Sequence, residues 1–322
     1  MRLRSDGKRD IKFDADLARR FYEGKPCFAT DAMSLPCGRC LGCRLERSRQ
    51  WAIRCVHEAK FSRNGNCFLT LTYSPEFLPK NMSLDKRQVS LFNKRLRRFA
   101  IPKDIRDKRG CSHLRKLWVS ENPIRFFYCG EYGDRYGRPH YHSIVFNFDF
   151  GDKVYWKTVN GCKYYTSESL SKLWPYGFST IGAVTFESAA YVARYALKKV
   201  TGDKADEHYS RVNLETGEVY QIEREFAIPS RNPGIGFDWF HKYAETDLIP
   251  QDSVVSRGVE CKVPRYYDTL WERYYPKSFL EAKEARRLRA EEKEDNSSFK
   301  RLQTRLKCQE ARVRLLIRNM EV

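Results

Sequence analysis

The sequence predicts an α+β fold built on an antiparallel sheet. Three observations carry that expectation. Short runs rich in Thr, aromatic and β-branched residues read as strands. Apolar stripes at helical spacing separate them. The order through the middle of the chain is strand, helix, strand hairpin, helix, strand, helix, without the strict βα alternation of a parallel sheet. With 322 residues, 41% of them hydrophobic, the chain can bury a substantial core.

Each element has its own signal. From about Arg44 to Lys60, Leu45, Ala52, Cys55, Val56 and Ala59 fall on one helix face. The alternating run Asn66 to Tyr73 reads as a strand stopped by Ser74-Pro75. Ser83 is the expected N-cap of a helix whose stripe is Val89, Phe92, Leu96 and Phe99. Its other face carries Lys94, Arg95, Arg97 and Arg98. Residues 125–132 and 140–148 are strand-like and are joined by a turn-rich Gly133–Pro139, which predicts a hairpin. Ser167 to Leu173 reads as a short helix, Gly177 to Phe186 as a strand, and Glu187 to Val200 as a helix. Arg231–Gly236 is a tight loop. These elements divide the chain into a Cys-rich basic segment (1–60), a central domain (61–240) and a charged helical C-terminal region (241–322). The run 277–322 is read as an exposed, solvated helix.

Composition narrows the function. Lys and Arg number 60 against 41 Asp and Glu, a net charge of +19, so the chain attracts polyanions. No apolar run is long enough to span a membrane. The N-terminus, Met1-Arg2-Leu3-Arg4-Ser5-Asp6, leads into no apolar stretch, so no secretory signal is expected. The 11 cysteines then read as reduced thiols or metal ligands. No phosphate-binding G-x-x-x-x-G-K-[ST] loop occurs.

Three clusters carry chemistry. His140 and His142, at spacing two on a strand, project from one face and supply half of a divalent-metal site. A pair of satisfied core or surface histidines is the plain alternative. Glu131, on the preceding strand, comes near them if the hairpin register allows, since a slip of one residue turns it to the opposite face. Two imidazoles and a carboxylate suit Mg²⁺ or Mn²⁺ better than a closed structural zinc. Second, Tyr191 and Tyr195 share a helix face, with Lys198 on the same side. Core packing is the ordinary reading of such a stripe; attack of a phenol on a phosphodiester is the other. Third, Cys37, Cys40 and Cys43 are spaced compactly enough for Zn²⁺, with Cys27 or His57 completing a tetrahedron; free thiols in a turn are the alternative. Around them Arg39, Arg44, Arg47, Arg49 and Arg54 form a basic surrounding suited to DNA backbone contact.

Together these motifs resemble the HUH endonucleases, the rolling-circle replication initiators. The resemblance rests on Pro36-Cys37-Gly38-Arg39-Cys40-Leu41-Gly42-Cys43-Arg44, Phe68–Tyr73, Cys129–Gly133, Arg138–His142, Tyr191–Tyr195 and Arg231–Gly236, and spans about residues 36–240. The two-tyrosine arrangement is similar to the initiators of microviruses, in particular their gokushovirus branch. The resemblance implies a central antiparallel sheet flanked by helices, with the histidine strand in the middle. It implies a metal on His140, His142 and Glu131, nucleophiles Tyr191 and Tyr195 assisted by Lys198, and DNA contact that includes Arg194. The implied activity is nicking of a viral origin through a 5′-phosphotyrosine, then rejoining of the displaced strand. The implied partners are single-stranded and replicative-form DNA, a host helicase and a host polymerase, in the cytoplasm of a bacterial host. A non-catalytic basic DNA-binding or packaging protein, or a plasmid or transposon relative, are the competing readings.

Overall fold

The computed structural model describes residues 2–3, 9–10, 38, 40–79, 81–107, 110–133, 136–195, 204–213, 216–292 and 299–314. Its contacts divide the chain into two units. One is built of residues 45–280, the other of residues 1–44 and 281–316.

The larger unit is organised by a seven-stranded sheet in which every pairing is antiparallel. In chain order the strands are β1 (Asn66–Thr72), β2 (Arg125–Tyr132), β3 (Pro139–Phe146), β4 (Val154–Val159), β5 (Cys162–Thr166), β6 (Ser179–Gly182) and β7 (Phe226–Pro229). Across the sheet they run β7-β2-β3-β1-β6-β5-β4. All eight residues of β3 are buried, which explains a nearly unbroken run of aromatic and β-branched residues around its histidines. Strand β4, at one edge, is largely exposed.

Helices cover both faces. Helix α1 (Leu41–Ala59) and helix α4 (Phe186–Tyr195) pack on one, through Ala52, Cys55, Ala189, Tyr191 and Val192 against Phe68, Phe127 and Ile144. Helix α2 (Lys86–Ala100) and helix α3 (Glu168–Leu173) pack on the other, through Val89, Phe92, Leu96, Leu170 and Leu173 against Leu69, Leu71 and Val145. The residues of α2 that face the sheet are spaced i, i+3, i+7, the spacing of one helix stripe.

Several boundaries differ from the sequence expectation. The cap of α2 is Asp85, whose carboxylate accepts from the Arg87 amide; Ser83 instead donates to the Leu84 carbonyl. Asp is as good a cap as Ser, so composition could not choose between them. Strand β6 is only four residues long, because Gly177 passes so close to the backbone of Thr72 and Ser74 that any Cβ would collide with it. The described part of α4 ends at Tyr195; residues 196–200 of the expected helix lie outside the described residues. Residues 154–166, given no element from the sequence, form the β4–β5 hairpin, whose turn places Asn160 and Gly161 at positive φ.

The compact unit also runs across the expected boundary at residue 240. Trp239, Phe240, Tyr267, Leu270 and Trp271 are buried within it. The loop 231–236 is tied to α1 and β2: the Gly236 amide donates to Glu58 at 2.6 Å, and Arg54 donates to the Ile235 carbonyl at 3.0 Å. Glu58 pairs in turn with Arg125 at 2.9 Å, both side chains nearly buried.

In the second unit, Arg2–Leu3 and Arg9–Asp10 form a short antiparallel ladder. Its helical residues near the C-terminus are mostly exposed, as expected, with Arg287 bridging Glu284 and Glu291 along one helix face. Among the described residues no helix is long and apolar enough to cross a membrane.

Candidate metal centre

The register of the β2–β3 hairpin brings the chemistry together. Glu131 lies directly opposite His140, and Thr70 of β1 lies opposite His142. Residues paired across an antiparallel ladder share a face, and so do residues two apart along a strand. Glu131, His140 and His142 therefore project from the face that α1 and α4 cover. Each His Nε2 approaches the same carboxylate oxygen, Glu131 Oε1, at 2.7 Å from His140 and 2.8 Å from His142. Glu131 and His142 have no exposed surface, and His140 is 8% exposed.

The outer nitrogens set the protonation pattern. His140 Nδ1 faces the Arg138 carbonyl at 3.1 Å, an acceptor only, so that nitrogen carries a proton. Its Nε2 faces a carboxylate. Two arrangements satisfy both contacts: a doubly protonated imidazolium, or a neutral imidazole whose Nε2 lone pair and the carboxylate share a cation. His142 Nδ1 is held by the Thr70 hydroxyl at 3.1 Å. Such orientation from behind is what metal-ligating histidines receive. Burial alone would raise the Glu131 carboxyl. Hydrogen bonds from His140 and His142 outweigh it and hold the group below the ordinary carboxylate value. A buried, ionised carboxylate facing two imidazoles fits a divalent cation. Among the described residues, this trio is the one group of three or more such side chains whose ligand atoms converge, all within 4.8 Å of one another.

Tyr191 stands beside the trio. Its ring meets His142 edge-on at 5.1 Å between centroids, and Phe68 stacks on His142 from another side at 5.5 Å. With 1% exposure, Tyr191 both packs the core and borders the site, so the two readings of the tyrosine stripe are compatible. Helix α4 is started by a reciprocal exchange, Thr185 N to Ser188 Oγ and Ser188 N to Thr185 Oγ1, which fixes where Tyr191 falls. Tyr195 closes the described part of that helix one turn later. Lys198 and the side chains of Tyr195 and Arg194 lie outside the described residues.

The N-terminal expectations divide. Cys27, Cys37 and Arg39 lie outside the described residues; Cys40 is exposed and Cys43 half-buried. His57 is committed elsewhere and does not complete a cysteine site: its ring stacks on Trp239 at 3.7 Å, and Nδ1 meets the Tyr267 hydroxyl at 3.0 Å. Two arginines read as DNA contacts also serve the fold. Arg49 forks onto Glu46, and Arg54 is sandwiched between Trp51 and Tyr266, 4.0 Å from each ring. Arg47 is exposed and Arg44 half-buried. Sequence spacing cannot tell a stacked arginine from a solvated one, because the stacking residue, Tyr266, is more than two hundred positions away.

Fold and site define an α+β protein with a buried two-histidine, one-carboxylate centre bordered by a tyrosine helix. The family model for the replication-associated protein ORF2 group matches residues 66–200, which run from β1 through α4. The chain is 33% identical over 271 residues to replication-associated protein VP4 of Bdellovibrio phage phiMH2K, covering 84% of this chain and 77% of the relative. It is 33% identical over 257 residues to replication-associated protein ORF2 of Spiroplasma virus 4, covering 76% and 70%. Over 242 residues it is 31% identical to replication-associated protein ORF4 of Chlamydia phage 1, covering 73% and 53%. No solved structure matches the chain. The chain belongs to the replication-associated proteins of small phages, the microvirus-type replication initiators.

Proposed function

We propose that this protein is an HUH-type endonuclease that nicks its phage's origin and later rejoins the displaced strand. The observation that carries the reading is the convergence of Glu131, His140 and His142 beside the ring of Tyr191. A divalent cation, Mg²⁺ or Mn²⁺, held by those three donors would supply the charge that polarises a phosphate oxygen. The chain's own residues do the rest. Thr70 and the Arg138 carbonyl orient the imidazoles, and Phe68 with α4 excludes water from behind them. The phenol of Tyr191 or Tyr195 bonds to phosphorus and gives up its proton. The bond to the 3′ oxygen breaks, and that oxygen leaves with a proton. The 5′ end stays on the protein, so the bond energy is kept for rejoining and no nucleotide hydrolysis is needed.

Two tyrosines on one helix let the second cut while the first is occupied, which is what closing a circle requires. Lys198 supplies a cation near the phenols. The freed 3′-OH primes a host polymerase, with a host helicase opening the duplex in the bacterial cytoplasm. Arg39, Arg44, Arg47 and Arg194 hold the DNA backbone, and Cys27, Cys37, Cys40 and Cys43 hold a structural Zn²⁺. The deciding experiment is incubation with a single-stranded oligonucleotide of the phage origin and Mn²⁺. A covalent protein–DNA adduct that maps to Tyr191 or Tyr195 supports the reading. Tight binding with no adduct on any residue leaves the non-catalytic packaging protein.

A further inference from the structure

Away from the metal centre, the histidine-bearing face of the sheet carries exposed aromatic rings. Helices α1 and α4 cover that face over β1, β2 and β3. Beyond them Trp156 and Phe178 stand 38% and 45% exposed, with ring centroids 4.7 Å apart.

Register places both rings relative to the site. The Phe178 carbonyl accepts from the Thr72 amide at 3.0 Å and from its hydroxyl at 2.8 Å. Thr72 lies opposite His140 in the β1–β3 ladder. Phe178 is thus two strand spacings from His140, about 10 Å. Thr180 pairs with Thr70, so Phe178, two residues before Thr180, points to the histidine side. Trp156 is brought to it by an irregularity in β4. The ladder pairs Tyr155 with Tyr165 and Lys157 with Tyr164, leaving Trp156 as the extra, bulged residue. A bulge re-aims a side chain at the cost of local pairing, and bulges concentrate at sheet edges and beside functional sites. Lys157 returns to the histidine face: its partner Tyr164 packs over Gly182 beside Phe68. The Lys157 ammonium sits 4.1 Å from the Trp156 ring.

We propose that Trp156 and Phe178, with Lys157, form a stacking platform for unpaired bases of single-stranded DNA running past the metal centre. Exposed rings that can take a base face, a cation beside them for the phosphate, and a chain of net charge +19 are the combination that binds single strands without sequence preference. A purely apolar docking face for protein would gain nothing from the ammonium on Trp156. The placement of the platform beside the scissile phosphate rests on the nicking function proposed here; its affinity for single strands does not.

The test is fluorescence anisotropy with labelled oligothymidylate in chelator, where no cleavage can contribute. Trp156→Ala should weaken binding about ten-fold, and Trp156→Phe should restore most of it, since any aromatic face stacks. Lys157→Gln should lower the salt dependence of log affinity by about one phosphate contact. An abasic position introduced at successive sites should weaken binding by the wild-type protein at one or two of them, and leave Trp156→Ala indifferent there. Unchanged affinity in both Trp156→Ala and Phe178→Ala, with circular dichroism intact, would overturn the platform. So would a change in sedimenting mass without a change in DNA affinity, which would assign the surface to contact between copies. If the wild-type protein forms no adduct with origin DNA in Mn²⁺, the nicking function fails while the chelator result stands by itself.

Discussion

Two buried histidine environments lie within residues 45–280, and the contrast between them separates a ligand from a packing residue. His57 is 2% exposed, stacked on Trp239 and Tyr267, and its Nδ1 meets a tyrosine hydroxyl. Burial, assisted by the charge of Lys60, pushes its pKa down to about 3, so it is neutral and apolar in use. His140 and His142 are buried too, yet both Nε2 atoms are aimed at one ionised carboxylate. Burial does not distinguish the two environments. Convergence on a shared acceptor does.

The largest effect expected from this contrast is on catalysis. The double variant His140→Ala/His142→Ala should form no adduct with origin DNA, while keeping most of its DNA affinity, because phosphate contacts are dispersed over many Lys and Arg. Wild-type nicking in that variant would reduce the trio to packing residues. Tyr191→Phe and Tyr195→Phe should each keep some adduct formation but lose circle closure, and together should lose both; full closure with one tyrosine would contradict the paired nucleophiles.

Next in size is a fold effect on the other side of the contrast. Arg125→Ala leaves Glu58 buried without its partner and should cost about 3–5 kcal/mol in urea unfolding, as broken buried pairs do. A loss near zero would mean that the pair is solvated in solution. Smaller again is the cation effect. Mn²⁺ at a hundred times its Kd should stabilise the wild-type protein by about 2.7 kcal/mol. His57→Phe should respond alike, and His142→Ala should not respond. Equal stabilisation of all three would place the ion elsewhere.

The smallest effect is graded with pH. The unfolded chain protonates His57 near the ordinary value of 6.5, whereas the folded protein resists until about 3. Within that window the unfolded state binds more protons, so stability is complete above the unfolded value and falls as pH drops through it. One such group contributes about 1.4 kcal/mol per pH unit. In His57→Phe the slope of stability against pH between those limits should flatten by up to one proton; an unchanged slope would mean that His57 titrates normally.

How much of this was legible follows the range of the interactions. The β2–β3 hairpin and its histidines show in local alternation, and a tight loop that pairs Gly133 N with Arg138 O set the register that alternation left open. The stripe Val89, Phe92, Leu96 announced α2 for the same local reason. The β4–β5 hairpin was also readable, since Asn160-Gly161 between alternating runs is a strong hairpin signal. What no local pattern could reveal is the joining of distant segments. Tyr267 closing on His57, and the 231–236 loop tied to Glu58, depend on tertiary packing across some two hundred residues.

The central claim is that Glu131, His140 and His142 together hold one divalent cation. Direct titration of Mn²⁺, followed by the electron paramagnetic signal of the free ion, tests it without reference to DNA. The account predicts one site per chain in the wild-type protein and in His57→Phe, and loss of that site in Glu131→Ala and in His142→Ala when both remain folded by circular dichroism. Wild-type Mn²⁺ binding in either of those two variants would contradict it.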